Sequence, residues 1–116
     1  MISDSFGAFG EIREKYNLVK RERTTLFGAT IDTWTFPDAL NAKGVVVEYK
    51  LGLRFAGQCF YDTVDDCIKF IGLVPVEPSN YDYKIKSLRE MFIKAQIQMK
   101  HYRMEKRIEK IEKDFV

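Results

Sequence analysis

The stretch VVVEYKLGLRF, residues 45–55, decides the fold predicted for this chain, because it specifies a β-hairpin with one register. A type I turn at Lys50 and Leu51, followed by Gly52 in the left-handed region, forms a three-residue hairpin loop. The pairs in this register are Tyr49 with Leu53, Val47 with Phe55 and Glu48 with Arg54. One face of the hairpin is then apolar, and the other gains a cross-strand ion pair. A two-residue loop would place Glu48 opposite Phe55 and mix the two faces, so the pattern selects the longer loop.

The chain before the hairpin is predicted to form a helix and a third strand. Apolar residues recur at helical spacing over residues 4–18, which indicates a short N-terminal helix. They are Phe6, Phe9, Ile12 and Tyr16. The KRER run at residues 20–23 is predicted to be a polar connection. Threonine and aromatic residues in TTLFGATIDTWTF, residues 24–36, favour a single strand with a bulge at Gly28, and PDALNAKG then predicts a turn or one helical turn.

A short helix is predicted directly after the hairpin. Thr63 and Asp66 match a capping box in which Asp replaces the usual Glu, and an apolar stripe follows before Gly72 ends the helix. The stripe consists of Val64, Cys67, Ile68 and Ile71. Pro75 and Pro78 then predict an extended strap that leads to the last helix.

The last and longest predicted helix covers residues 80–116, with Ser79 or Asn80 as its cap. On a helical wheel its apolar residues form two opposite faces. The first face, which is predicted to lie on the sheet, consists of Ile85, Leu88, Met91, Phe92, Ala95, Met99 and Tyr102. The second face consists of Ile93, Ile97, Met104, Ile108, Ile111 and Phe115. The sequence therefore predicts one α+β domain over residues 1–116, with a small three-stranded antiparallel sheet, short helices and one long C-terminal helix.

The length of this last helix predicts self-association. Residues 80–116 would span roughly 55 Å as one helix, whereas a compact globule of this chain size is only about 35 Å across. The distal part is expected to protrude, and a second copy would cover its apolar face through a parallel or antiparallel coiled-coil contact. The residues predicted to build this homodimer or higher oligomer are Ile97, Met104, Ile108, Ile111 and Phe115. The alternatives are that the helix breaks near His101 and folds back, that its last residues fray, or that a different protein binds there.

A third side of the last helix carries a basic ridge, which consists of Arg89, Gln96, Lys100, Arg103 and Arg107. The ridge is either a solvated flank or a contact surface for phosphates or for an acidic protein. No nucleic-acid-binding motif accompanies it, and no aromatic residues interleave with it, so nucleic acid is an alternative partner without motif support. Candidate contacts for a protein partner are the aromatic residues expected around an exposed sheet edge, with core packing as the alternative. They are Trp34, Phe36, Tyr81 and Tyr83.

The histidine and cysteine content argues against a metal centre. His101 is the only histidine, and together with Cys59 and Cys67 it lacks the close ligand spacing of zinc motifs, so no metal or cofactor is expected. The two cysteines are predicted to be free thiols in a reducing compartment. A redox-active or bridged pair is the alternative.

The acidic residues of the predicted short helix also have a structural explanation. Asp62, Asp65 and Asp66 lie at its start, where carboxylates complement the positive end of a helix. The negative charges of Asp65 and Asp66 also oppose formation of a thiolate at the neighbouring Cys67, so a catalytic thiol is not expected. The glycines of FGAFG, residues 6–10, lack the preceding strand of a dinucleotide-binding loop. No catalytic residue is therefore predicted, and we do not expect an enzyme.

Composition and charge describe a folded protein. Hydrophobic residues make up 46% of the chain, and the 19 basic residues nearly balance the 17 acidic residues. The net charge of +2 implies no polyanionic partner by itself. No apolar run reaches the length of a signal peptide or of a membrane span of roughly 20 residues. We therefore expect a cytoplasmic protein with no membrane partner.

These features together favour a non-enzymatic binding protein that self-associates through its C-terminal helix and acts by occluding or tethering a protein partner. Small inhibitors, including those encoded by viruses and phages, often have this size and density. One alternative is a small-molecule or nucleotide-binding protein with a pocket between subunits. Another is a nucleic-acid-binding protein that uses the basic ridge.

Overall fold

The computed structural model describes the backbone of residues 3–114 and the side chains of residues 7–114. Its helices and strands are α1 Ser3–Lys15, β1 Val19–Thr24, β2 Thr30–Thr35, β3 Val47–Tyr49, β4 Leu53–Asp62, β5 Cys67–Pro75 and α2 Tyr81–Asp114. Two short 3-10 helices cover Pro37–Ala39 and Pro78–Asn80. The strands form one antiparallel sheet in the order β1-β2-β3-β4-β5. The α+β fold with one long C-terminal helix is confirmed, but the sheet has five strands rather than three.

The predicted register of the central hairpin is confirmed, and two of its details are wrong. The structure pairs Tyr49 with Leu53, Val47 with Phe55 and Glu48 with Arg54. Gly52, however, is not among the glycines with a positive φ. Glu48 also forms its ion pair with Arg23 of β1, at 2.6 Å between Oε1 and Nη2, rather than with Arg54. The register therefore depends on the apolar pattern and the loop length, and not on the predicted left-handed glycine.

Residues 20–36 form two strands and a tight turn, not a connection followed by one strand. Thr25 closes the turn, because its carbonyl oxygen accepts from Gly28 N at 3.0 Å and its Oγ1 accepts from Ala29 N at 3.1 Å. Gly28 has a φ of 81°, so it completes this turn and is not a bulge inside a strand. The charged run of β1 is compatible with a strand because β1 is an edge strand whose side chains are mostly exposed.

The predicted short helix after the hairpin is also wrong, since residues 67–75 form β5. Residues 63–66, which connect β4 to β5, form a hairpin turn: Asp62 Oδ1 accepts a hydrogen bond from Val64 N at 2.9 Å, and Asp66 has a φ of 50°. Ile68 pairs with Tyr61 and Phe70 pairs with Cys59 across the hairpin. Ile68 and Phe70 are buried, and the residue between them, Lys69, lies on the other face. Alternation along a strand therefore describes this segment better than the helical stripe did.

The core lies between one face of the sheet and the two helices. Phe9 of α1 packs edge-on against Trp34, with ring centroids 4.8 Å apart. The first face of α2 packs on the sheet as predicted: Ile85, Leu88, Phe92 and Ala95 are buried, and Met91, Met99 and Tyr102 pack at the margin. Trp34, Phe36 and Tyr81, which were expected at an exposed edge, belong to this core, whereas Tyr83 is exposed.

Helix α2 runs in the same direction as β4 and continues beyond the sheet. Near its start the ring of Tyr81 lies 4.9 Å from that of Phe55, and further along the ring of Tyr102 lies 5.9 Å from that of Tyr61. The helix is continuous through His101, so it does not fold back there. The principal extents of 68 × 33 × 20 Å reflect this long helix.

None of the helices within residues 3–114 combines the length and the apolar character needed to cross a membrane.

Candidate functional site

The main candidate site is the exposed apolar surface of the second half of α2. We call it the distal stripe and define it as Ile97, Met104, Ile108 and Ile111. These side chains are 52%, 50%, 53% and 55% exposed, respectively. All described side chains from Arg103 onward are exposed. The structure thus places these four predicted self-association residues along one line of the helix, while Phe115 lies outside the described residues.

The distal stripe is open because the sheet covers the opposite face of α2 and ends before the helix does. Tyr102 is the last helical side chain that packs against the sheet. At the next residue, Arg103 Nε donates to Asp66 Oδ1 at 3.0 Å and fixes the helix to the β4–β5 turn. The Tyr61 hydroxyl donates to the same carboxylate oxygen. These two donors, Tyr61 first, hold the pKa of Asp66 below its usual value.

The basic ridge is interrupted by ion pairs within the molecule. Arg89 donates to both carboxylate oxygens of Asp38, at 2.6 and 2.8 Å, and this contact holds the pKa of Asp38 below its usual value. Arg103 also contacts an aspartate, with Nε donating to Oδ1 of Asp66 and Nη2 donating to the backbone carbonyl oxygen of the same residue. The ridge therefore does not form a continuous row of free cations, and nothing in this geometry favours nucleic acid.

A second exposed apolar feature lies at the turns of the sheet. Leu26 and Phe27, at the β1–β2 turn, are 102% and 98% exposed, and Leu51, at the β3–β4 turn, is 94% exposed. Alternate turns of an antiparallel meander lie at the same end of the sheet, so we call these three residues the hairpin tips. Sequence reasoning missed this feature because it placed residues 24–36 in one strand. The missed signal was Thr25 and Gly28, two turn-forming residues that flank the apolar pair.

Asp62 and Asp65 lie at the β4–β5 turn and form ion pairs with Lys69. They were predicted to lie at the start of a helix, which the structure does not contain at this position. Lys69 Nζ lies 2.7 Å from Asp62 Oδ2 and also binds Asp65. Lys69 holds the pKa values of both carboxyl groups below their usual range, and Val64 N contributes at Asp62. Among the side chains that the structure describes, no group of three or more His, Cys, Asp and Glu could hold a metal ion. The chemistry of this turn is therefore that of a stabilised hairpin.

Both cysteines are free, and they differ in exposure. Cys59 is buried under α2, and burial raises the pKa of its thiol to about 12. Cys67 is half-buried at the first residue of β5, and not at the start of a helix as predicted. It lines a cleft of about 220 Å³ between α2, the 3-10 helix Pro37–Ala39 and the β4–β5 turn. This cleft is smaller than typical ligand pockets of about 300–1,000 Å³.

The uncovered face of the sheet forms a shallow groove of about 720 Å³ between β1 and β5. Arg21, Arg23 and Arg54 lie around it. Arg23 is bound to Glu48, and Arg21 Nη1 donates to the carbonyl oxygen of Leu40 at 3.2 Å. The groove was not foreseen from the sequence because β1 was not recognised as a strand.

Comparison with known protein families, curated proteins and solved structures gives no match for this chain. Its function is therefore inferred from the surfaces described above.

Proposed function

We propose that this protein is a non-enzymatic binding protein that self-associates through the distal stripe and presents its hairpin tips to a protein partner. The observation that carries the proposal is the stripe itself, four large apolar side chains that each remain about half exposed on a continuous helix. Full burial of such a side chain is worth roughly 1.5–3 kcal/mol. Covering the exposed half of each would thus contribute about 1 kcal/mol per side chain, on both copies.

A second copy of the chain is the simplest cover for the distal stripe. The sheet already packs on the opposite face of α2, through Leu88, Phe92 and Ala95, so it cannot also reach the stripe. An identical helix presents a stripe of the same length and shape, as a symmetric dimer requires. The distal stripe is narrow, and a narrow apolar stripe suits the packing of two helices in a coiled coil better than the packing of a helix on a sheet.

The hairpin tips support a role in binding a further protein. Leu26 and Phe27 make no packing contribution to their own chain, since both are fully exposed. The turn that carries them is held by Thr25 and Gly28, so its conformation does not depend on the apolar side chains. Adjacent exposed leucine and phenylalanine side chains on a hydrogen-bonded turn suit insertion into an apolar pocket of a partner.

The polar clusters of the molecule favour binding over catalysis. The carboxylates of Asp38, Asp62, Asp65 and Asp66 are each engaged by an arginine or a lysine. Such pairs hold loops and turns in place, and they leave no carboxylate of this set available as a general base.

Light scattering coupled to gel filtration, over a range of protein concentrations, tests the self-association. We expect the wild-type chain to be dimeric or larger and the double variant Ile108→Glu with Ile111→Glu to be monomeric. The matched control is Lys110→Ala with Lys113→Ala, which changes the net charge equally but lies outside the stripe. A wild-type protein that remains monomeric at high concentration would overturn the proposal.

The role of the hairpin tips is tested by comparing two baits in a pull-down from a cell lysate. We expect proteins retained by the wild-type chain to be lost with Leu26→Ser and Phe27→Ser. Equal retention by both baits would remove the tips from the proposal and leave the self-association untouched.

A further inference from the structure

We propose that two copies pair in parallel and in register, so that their α2 helices form a short two-stranded coiled coil with both sheets at the same end. The inference rests on the proposed self-association and specifies its geometry. It follows from the positions of charged residues on either side of the distal stripe.

The distal stripe follows a heptad pattern. Ile97, Met104 and Ile111 are spaced seven residues apart, and Ile108 lies four residues after Met104 and three before Ile111. In heptad notation the first three occupy d positions and Ile108 occupies an a position. The remaining a position within the seam is His101. The seam thus contains one polar residue among apolar ones.

The residues that flank this seam carry opposite charges on its two sides. On one side of the distal stripe, Lys100 and Arg107 occupy g positions between Ile97 and Ile111. On the other side, Glu105 and Glu112 occupy e positions. All four side chains are exposed. None of them has a hydrogen bond or an ion pair with the described part of its own chain. They are therefore available to a second helix.

A parallel, in-register pair satisfies these charges. In that arrangement each g residue faces the e residue five positions further along the other helix. Lys100 then faces the partner's Glu105, and Arg107 faces the partner's Glu112. Because the pair is symmetric, each contact occurs twice, so the parallel arrangement has four attractive contacts and no repulsive one among these residues.

The antiparallel arrangement satisfies the charges less well. Its best apolar alignment places Met104 opposite the partner's Ile108, and g positions then face g positions while e positions face e positions. Arg107 would face the partner's Arg107, and Glu105 would face the partner's Glu105. Only Lys100 would find an opposite charge, on the partner's Asp114. Like-charge contacts therefore oppose the antiparallel pair.

His101 adds a register signal of its own. In the parallel pair it faces the partner's His101, because a positions meet a positions. A polar residue at a single a position fixes the register of a coiled coil at a cost in stability. We expect His101→Ile to lower the dimer dissociation constant, since it replaces the one polar seam residue by an apolar one.

Disulfide trapping tests the orientation. In a Cys67→Ser background, in which Cys59 stays because it is buried, Ile111→Cys places one thiol at a d position of each copy. We expect a disulfide-linked dimer under mild oxidation, forming more than about tenfold faster than with Glu109→Cys, whose side chain points away from the seam. In an antiparallel pair, Ile111→Cys chains would instead cross-link to His101→Cys chains.

The outcomes separate the two proposals. A monomeric mass for the Cys67→Ser parent would overturn the self-association itself. A dimeric parent that cross-links between positions 101 and 111, and not between two copies of position 111, would overturn only the parallel arrangement.

A charge-reversal cycle gives a second, independent test. In the parallel pair, Arg107→Glu alone and Glu112→Lys alone each replace two attractive contacts by repulsive ones, and the double variant restores them. We expect each single variant to raise the dimer dissociation constant several-fold, and the double variant to return it close to the wild-type value. Unchanged dissociation constants for both single variants would contradict the parallel arrangement. In the antiparallel pair, Arg107→Glu only replaces one like-charge contact by another, and position 112 faces the partner's Gln98, which carries no charge.

Discussion

Arg89 of α2 binds Asp38 with two parallel hydrogen bonds, Nη1 to Oδ1 at 2.6 Å and Nη2 to Oδ2 at 2.8 Å. The same guanidinium lies over the rings of Phe36 and Phe92, at 5.1 and 5.6 Å from their centroids. This contact joins the long helix to the segment between β2 and β3. A residue that was considered for phosphate binding is thus part of the internal structure.

Arg89→Met is expected to lower the free energy of unfolding by about 1 kcal/mol, because a bidentate pair and a cation–ring contact are lost at a partly exposed site. Urea denaturation measures the change, with Lys94→Met as the control for losing an exposed cation from the same helix. A double-mutant cycle with Asp38→Asn should give a coupling energy of about 0.5–1 kcal/mol. A coupling energy indistinguishable from zero would contradict this assignment.

Gly44→Ala is expected to destabilise the protein far more than Gly28→Ala. Both glycines have positive φ angles, 85° and 81°, but a Cβ on Gly44 would clash with the carbonyl oxygen of Phe70, whereas one on Gly28 meets nothing within 4 Å. An alanine in the left-handed region costs about 1–2 kcal/mol at either position. The clash also displaces the bridge in which Phe70 N donates to the carbonyl oxygen of Lys43 at 2.8 Å. We expect a total loss of about 2–4 kcal/mol for Gly44→Ala, and equal effects of the two variants in urea denaturation would refute the clash.

Stability is expected to decrease in acid because of the carboxylates at the β4–β5 turn. The pKa values of Asp62, Asp65 and Asp66 are all lower in the folded protein than their usual values. Their stabilising contribution is therefore complete above the unfolded pKa of about 4, and it is lost as the pH falls through the lower folded values. Urea midpoints measured from pH 5 to pH 2 should decrease. The variant Asp62→Asn with Asp65→Asn should show a shallower decrease, and identical slopes would rule out these groups as the cause.

The two thiols are expected to react at very different rates with iodoacetamide. Cys59 is buried, and burial raises the pKa of its thiol to about 12, so the reactive thiolate form is scarce at pH 8. Cys67 is half-buried and lines the cleft next to α2. Mass spectrometry of the native protein should show one label per chain, on Cys67, and two labels after denaturation. Labelling of Cys59 at a similar rate in the native protein would contradict its burial.

The parts of the fold that could be predicted are those specified by local pattern. The hairpin at residues 45–55 has a register set by alternating side chains and a short loop, and the structure has the same pairs. The long helix has many consecutive turns with apolar residues at helical spacing, first on the sheet-facing side and then on the opposite side, so the sequence was sufficient to predict a helix.

The strands β1 and β5 could not be predicted because their identity depends on pairing between distant segments. The segment at residues 67–75 is short, and its apolar residues fit both a helical stripe and a strand. The segment forms a strand because it pairs with β4, with Phe70 opposite Cys59 and Ile68 opposite Tyr61. The charged β1 has no apolar alternation of its own, and it is a strand because β2 supplies its hydrogen-bonding partners. The hairpin tips were missed for the same reason.

The shared direction of α2 and β4 has a consequence for how strongly a dimer could hold its target. Because β4 starts directly after the β3–β4 turn, the hairpin tips lie at the opposite end of the sheet from the projecting helix. A parallel pair would then present two identical sets of tips on one side. Once one set is engaged, the second would act at an effective concentration of the order of millimolar, so a target with a repeated binding site would be held with avidity.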